Sequence, residues 1–132
     1  MILGVGIDLT EVARIRVSLE RFGDRFLQRI LTAGEIAYCR QFKQSAPHVA
    51  VRFAAKEAMS KAFGTGIGTA FGWHDLEVGR KESGEPFAIL HGPAEELRKQ
   101  RGGRIWLSLT HTTHYATAVA ILELEGAPDQ RA

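Results

Sequence analysis

The chain has 132 residues, 45% of them hydrophobic and 24% charged, with a formal net charge of +2. That length and balance fit one globular domain with a modest core, and the weak net charge argues against a nucleic-acid binder. No apolar run reaches the length of a membrane span, and the single cysteine, Cys39, leaves no intrachain disulfide and reads as a core residue. The first residues, MILGVGIDL, lack a basic segment and carry an acid at position 8, so they do not read as a signal peptide, and the cytoplasm is the expected location.

Residues 2–9 are apolar and β-branched, which predicts a buried strand, with Gly4 and Gly6 allowing close packing. Asp8 ends it. With Glu11 three residues on, Asp8 reads equally as a helix capping box or as a hard oxygen ligand at a strand end. A helix is expected over residues 10–22, with Val12, Ile15, Leu19 and Phe22 as its apolar face. Arg14 and Arg21 fall on the opposite face, and Arg25 extends the stripe if the helix passes Gly23. That stripe is either a solvated face or a docking surface for an acidic partner. Asp24 is placed to cap a short helix carrying Phe26, Leu27, Ile30 and Leu31. Thr32 to Glu35 spell a second capping box, opening a helix with Ile36, Cys39 and Phe42 inward. Residues 43–47 read as a polar loop.

Residues 49–68, VAVRFAAKEAMSKAFGTGIG, are the most informative stretch. Ala, Lys, Glu, Met and Arg favour a helix. Ala54, Ala58 and Ala62 form a small-residue stripe that would let another backbone approach. Phe53, Glu57 and Lys61 form a second row at i, i+4 spacing. Gly64 stops the helix, and residues 65–68 form a loop. Glu57 and Lys61 read either as a surface ion pair worth a few tenths of a kcal/mol or as the acid and cation of a site. The glycines follow the helix, so they are not the phosphate-binding fingerprint that precedes one.

The back half reads as β. Residues 73–78 alternate, with Asp75 and Glu77 opposite Leu76 and Val78. A turn at 82–85 leads to a strand over 87–90. Gly92 and Pro93 open a short helix to Arg101, closed by Gly102 and Gly103. Residues 104–110 place Ile105, Leu107 and Leu109 inward, and 111–114 form a tight connection. Residues 115–124 are apolar on both faces, as in a central strand or one covered by a partner chain. Residues 126–132 read as a disordered tail. The expected class is α+β, with helices packed on an antiparallel sheet in a single domain over residues 1–125.

If the central helix packs on the first strand through its alanine stripe, Asp8 and Glu57 converge. Adjacent carboxylates repel unless a proton or cation joins them. Magnesium is held by one or two carboxylates plus waters and substrate phosphates. Lys61 would face the same phosphates as a point charge, with Arg52 and His111 as further anion contacts.

The stretch RFAAKEAMSKAFGTGIG resembles the signature of the holo-acyl-carrier-protein synthases, the small single-domain 4′-phosphopantetheinyl transferases. So do GIDLTEVARI at 6–15, DLEV at 75–78 and SLTHTTHYATA at 108–118, in the same order. The resemblance spans about residues 2–124. It implies an enzyme that moves the 4′-phosphopantetheine arm of coenzyme A onto a serine of apo acyl carrier protein, in fatty acid biosynthesis. The other product is adenosine 3′,5′-bisphosphate, and the cofactor is Mg2+. The family's metal acids fall on Asp8 and Glu57, its lysine on Lys61, and its glycine loop on Gly64, Thr65 and Gly66. Its histidine falls on His111, preceded by Thr110 where the family often has serine, with His114 as the alternative. The coenzyme would meet Arg52, Lys61, the glycine loop and His111, and the acidic carrier Arg14, Arg21 and Arg25. The resemblance also implies a homotrimer with the coenzyme bound between neighbours. The turn around Gly84 and Pro86 would reach the adenine side of a neighbour's site. Glu57 is the candidate base for the serine proton, directly or through a water on the metal, and Lys61 would stabilise charge on the pyrophosphate. Two rivals are a non-enzymatic adaptor using the arginine stripe and a magnesium-dependent hydrolase of a nucleotide pyrophosphate. The adaptor releases nothing from coenzyme A, and the hydrolase does not need the carrier.

Overall fold

A computed structural model describes residues 1–126. The tail expected at 126–132 lies, from residue 127 on, outside the described residues. Strand β1 (Ile2–Glu11) is followed by helices α1 (Val12–Phe22), α2 (Asp24–Ile30), α3 (Ala33–Cys39) and α4 (Ala46–Phe63). A 3-10 turn (Trp73–Asp75) leads into the hairpin β2 (Leu76–Arg80) and β3 (Pro86–Leu90). Helix α5 (Gly92–Arg101) and strands β4 (Gly103–His111) and β5 (Tyr115–Leu124) complete the chain. The main sheet is antiparallel in the order β1-β5-β4, and β2 and β3 form a separate antiparallel pair. This is the expected α+β architecture.

The core has two parts, one between α4 and helices α1 to α3 and one between α4 and one face of the main sheet. Ala116, Ala118, Ala120 and Leu122 of β5 are buried on that face, as are Ala54, Ala58 and Ala62 of α4. Ile105, Leu107 and Leu109 of β4 pack at its edge. The approach is closest at β1, where a Cβ on Gly4 would lie 1.9 Å from the Ala62 carbonyl oxygen and one on Gly6 1.8 Å from that of Ala58. Helix backbone therefore rests directly on strand backbone, a separation only glycine permits.

Several local expectations are corrected. β1 stays paired with β5 as far as Glu11 opposite Tyr115, so α1 starts at Val12, and Asp8 sits within the strand. Glu11 is the residue before the helix and makes no side-chain capping bond, which removes the capping-box reading of Asp8. Asp24 is the first residue of α2 rather than its cap; Gly23 occupies the cap with φ 56°, and Asp24 instead pairs with Arg40 at 2.8 Å. Phe22 is exposed because α1 docks through Val12 and Ile15 near its start. The box at Thr32 and Glu35 forms as expected. α4 begins inside the expected polar loop, with Pro47 in its first turn, where a missing N–H costs nothing.

Lys56, legible in the sequence only as a helix former, is fully buried and paired with buried Glu35 at 2.6 Å. Burial pushes its ammonium pKa down, and the Glu35 carboxylate opposes that shift.

Candidate active site

Asp8 and Glu57 meet where β1 crosses α4. The close contact at Gly6 and Ala58 sets their separation, since each carboxylate lies within two residues of it. Asp8 Oδ2 accepts a hydrogen bond from the Thr10 hydroxyl at 2.8 Å, and the Asp8 carbonyl accepts one from the Thr117 hydroxyl at 2.8 Å. One turn beyond Glu57, the Lys61 ammonium donates to the Ile7 carbonyl at 2.9 Å and lies 3.4 Å from Asp8 Oδ1. Both carboxylates line a cleft of about 380 Å³, with Thr10, Arg14, Phe26 and Phe53 around them.

Burial first, and then the negative charge of Asp8, raise the Glu57 carboxyl above its ordinary value of 4.5, with Lys61 opposing. The site therefore has a deficit of positive charge, and Lys61 already bonds to Asp8 and to the strand carbonyl there. The donor set is all hard oxygen, and the described residues hold no cluster of three or more His, Cys, Asp and Glu. Two carboxylates in a half-open cleft fit a small divalent cation that keeps the rest of its shell for water and phosphate oxygens.

The other sequence-selected residues fall in three further places. Arg52 is buried at 1% exposure, donates to the His48 carbonyl at 3.1 Å, and lies 4.1 Å from the Tyr38 ring centroid. Its Nε has no hydrogen-bond partner among the described residues. The His111 ring stands edge-on to His48 at 5.2 Å, and Arg80 joins the group 5.5 Å from Tyr38. Burial, then His111, Arg52 and Arg80, hold His48 below its ordinary imidazole value. Arg52 and His111 thus belong to one basic, aromatic cluster apart from the Asp8–Glu57 cleft. Gly64, Thr65 and Gly66 follow α4 at its far end, with Gly64 left-handed at φ 78°. Of the arginine stripe, Arg14 lines the cleft. Arg25 borders an adjoining cleft of about 400 Å³ that shares Ser18 and Phe26 with the first. Arg21 is exposed beside Phe22.

Sequence reasoning did not single out Thr10, Phe26 or Phe53 as parts of the site. Strand alternation could have found Thr10, two residues from Asp8 on the same face. The i, i+4 row could have found Phe53, one turn before Glu57. No local signal marks Phe26, which reaches the cleft through the packing of α2.

The model of the 4′-phosphopantetheinyl transferase superfamily matches residues 4–120. The chain belongs to this superfamily. It is 52% identical over 124 residues to the holo-(acyl-carrier-protein) synthase of Koribacter versatilis, covering 93% of this chain and 99% of that one. Among solved structures it is similar to the Bacillus anthracis holo-(acyl-carrier-protein) synthase in complex with CoA (3′,5′-ADP). That match has a TM-score of 0.81 and 38% identity, covering 95% of this chain and 99% of the other. The Neisseria meningitidis synthase matches with a TM-score of 0.87 and 32% identity, covering 93% and 99%. This phosphopantetheinyl transferase carries its two carboxylates on β1 and α4, two elements in direct backbone contact at Gly6 and Ala58.

Proposed function

We propose that the chain transfers the 4′-phosphopantetheine group of coenzyme A to a serine of apo acyl carrier protein, in the cytoplasm and in fatty acid biosynthesis. The reaction depends on Mg2+ and releases adenosine 3′,5′-bisphosphate. The observation that carries this reading is the convergence of Asp8 and Glu57 on one cleft, with the Lys61 ammonium beside Asp8, in a chain of this superfamily. The named activity of its relatives and the coenzyme complex of the Bacillus anthracis synthase support the substrate pair.

Asp8 and Glu57 would hold the Mg2+, which when bound supplies Lewis-acid stabilisation of charge on the pyrophosphate. Lys61 turns from Asp8 toward the same phosphates as a point charge. Glu57 would take the proton of the carrier serine, directly or through a water, as the serine oxygen attacks the β-phosphorus and adenosine 3′,5′-bisphosphate leaves. Phe26 and Phe53 wall the cleft and limit the access of competing water. The basic cluster of Arg52 and His111, together with Gly64, Thr65 and Gly66, receives the rest of the coenzyme. The buried, half-satisfied Arg52 supports that role, since an arginine without a carboxylate favours an anion nearby.

The arginine stripe receives the acidic carrier. The cleft bordered by Phe22, Arg25 and Arg29 supports this, because it adjoins the Asp8–Glu57 cleft at Ser18 and Phe26. The assembly is a homotrimer with sites between neighbours. Support comes from the outer sheet face, where Val5, Ile7 and Leu9 lie exposed beside Val119, Ile121 and Trp106. An apolar face of this kind marks an interface.

Release of adenosine 3′,5′-bisphosphate from coenzyme A tests the reading. It is expected only when apo carrier and Mg2+ are both present. Release without carrier would make the chain a hydrolase, and no release under any condition would make it an adaptor.

A further inference from the structure

Lys56 precedes Glu57 on α4 and points away from the cleft. Its ammonium has three N–H bonds to place. They reach Glu35 Oε1 at 2.6 Å, the Ile30 carbonyl at 2.6 Å and the Trp73 carbonyl at 3.1 Å. Both Glu35 oxygens are engaged in turn: Oε1 also accepts from the Thr32 N–H at 2.9 Å, and Oε2 from the Val78 N–H at 3.0 Å. The pair ties α4 to the end of α2, the start of α3, the 3-10 turn and β2 at one buried point.

Stability is a weak account of such a pair. Desolvating two ions opposes folding, and apolar residues of similar volume are often as stable. Directional bonds contribute geometry instead. The segments they fix form the walls of the cleft. α2 carries Phe26, and the 3-10 turn carries Trp73, whose ring stacks on Phe53 with centroids 5.0 Å apart. Phe26 and Phe53 both line the cleft beside Glu57.

We infer that Lys56 and Glu35 are positioning residues for the transfer reaction: their buried pair locks α4 against α2 and the 3-10 turn, so that Glu57 faces Asp8 and the aromatic walls stand beside it. Neither side chain lines the cleft, so the pair acts through Glu57, Phe53 and Phe26. The inference rests on the transfer reading above.

The test uses the full chain, with carrier-dependent release of adenosine 3′,5′-bisphosphate and unfolding by urea. A wild-type chain that releases nothing overturns the transfer reading, and the inference falls with it. The double variant Lys56→Met, Glu35→Gln removes both charges together, and the glutamine oxygen can still accept from a backbone N–H. It is expected to unfold cooperatively, with kcat lowered about 10–100-fold, the size of loss that a misplacement of about 1 Å brings, and KM for coenzyme A within about twofold. Wild-type kcat in the folded double variant overturns the inference. If that variant does not fold, Glu35→Asp decides, because it keeps the charge and withdraws the carboxylate by one methylene. Lowered kcat per folded molecule with unchanged KM supports the inference. A loss that vanishes once rates are divided by the folded fraction, or one that falls on KM alone, overturns it.

Discussion

Replacing Gly6 with alanine tests how packing sets the chemistry. The added Cβ would lie 1.8 Å from the Ala58 carbonyl oxygen, where ordinary contact begins near 3.4 Å. β1 and α4 must separate locally by about 1.6 Å to admit it, and both atoms in the clash are held by regular backbone. Overpacking of this kind costs about 1–3 kcal/mol, and the upper end applies because no flexible side chain can give way. The same shift parts Asp8 from Glu57, since each lies within two residues of the clash, and a displacement of this size can reduce turnover about 100-fold. Urea unfolding should show a lower midpoint at unchanged slope, and kcat at saturating Mg2+ should fall while KM for the carrier changes little. Gly34→Ala on α3 is the control, because its Cβ would meet Glu77 only at 3.4 Å. Wild-type stability and kcat in Gly6→Ala would refute the link between this packing and the site.

The pH dependence of stability follows from Glu57. Its carboxyl is raised in the fold by burial and by Asp8, so between the ordinary value of 4.5 and the raised one the folded chain holds more protons than the unfolded chain. The contribution of Glu57 to metal-free stability should therefore fall as pH rises through that window, and Glu57→Gln should remove the slope, read as melting temperature in chelator. Arg14→Ala with Arg21→Ala should raise the apparent KM for carrier several-fold, given roughly 0.2–1 kcal/mol per exposed charge pair. KM for coenzyme A should stay constant, and added salt should weaken the wild type more than the variant; loss of coenzyme affinity instead would assign the stripe to the nucleotide. Ile7 is 64% exposed on the outer sheet face, so Ile7→Glu should keep the protomer folded and abolish a trimer in sedimentation at micromolar concentration. A wild-type chain that is a fully active monomer there contradicts the assembly.

The legible parts of the fold were those with a periodic or capping signature. The alanine stripe of α4 and the glycines of β1 each announced a close approach, and they are the two sides of one contact. That contact meets the condition on which Asp8 and Glu57, distant in sequence, were expected to converge, while their reading as a pair of metal acids came from the family resemblance. The capping box at Thr32 was legible because both its bonds are local. The one suggested at Asp8 was misleading because sheet pairing, a long-range interaction, extends β1 through the positions a helix would have used. Lys56 and Arg52 were read by residue type, and type favours the surface. Their burial depends on partners from α2, α3 and the 3-10 turn, which no spacing within α4 reveals.

The most direct measurement of the central claim is the intact mass of apo carrier after incubation with coenzyme A, Mg2+ and the chain. The wild type should add one phosphopantetheine group, and chelator should prevent the addition. Asp8→Ala and Glu57→Ala should each leave the carrier unmodified while keeping a wild-type circular dichroism spectrum. A carrier fully modified by either folded variant would contradict the assignment of the two carboxylates as the metal-holding centre of the transfer.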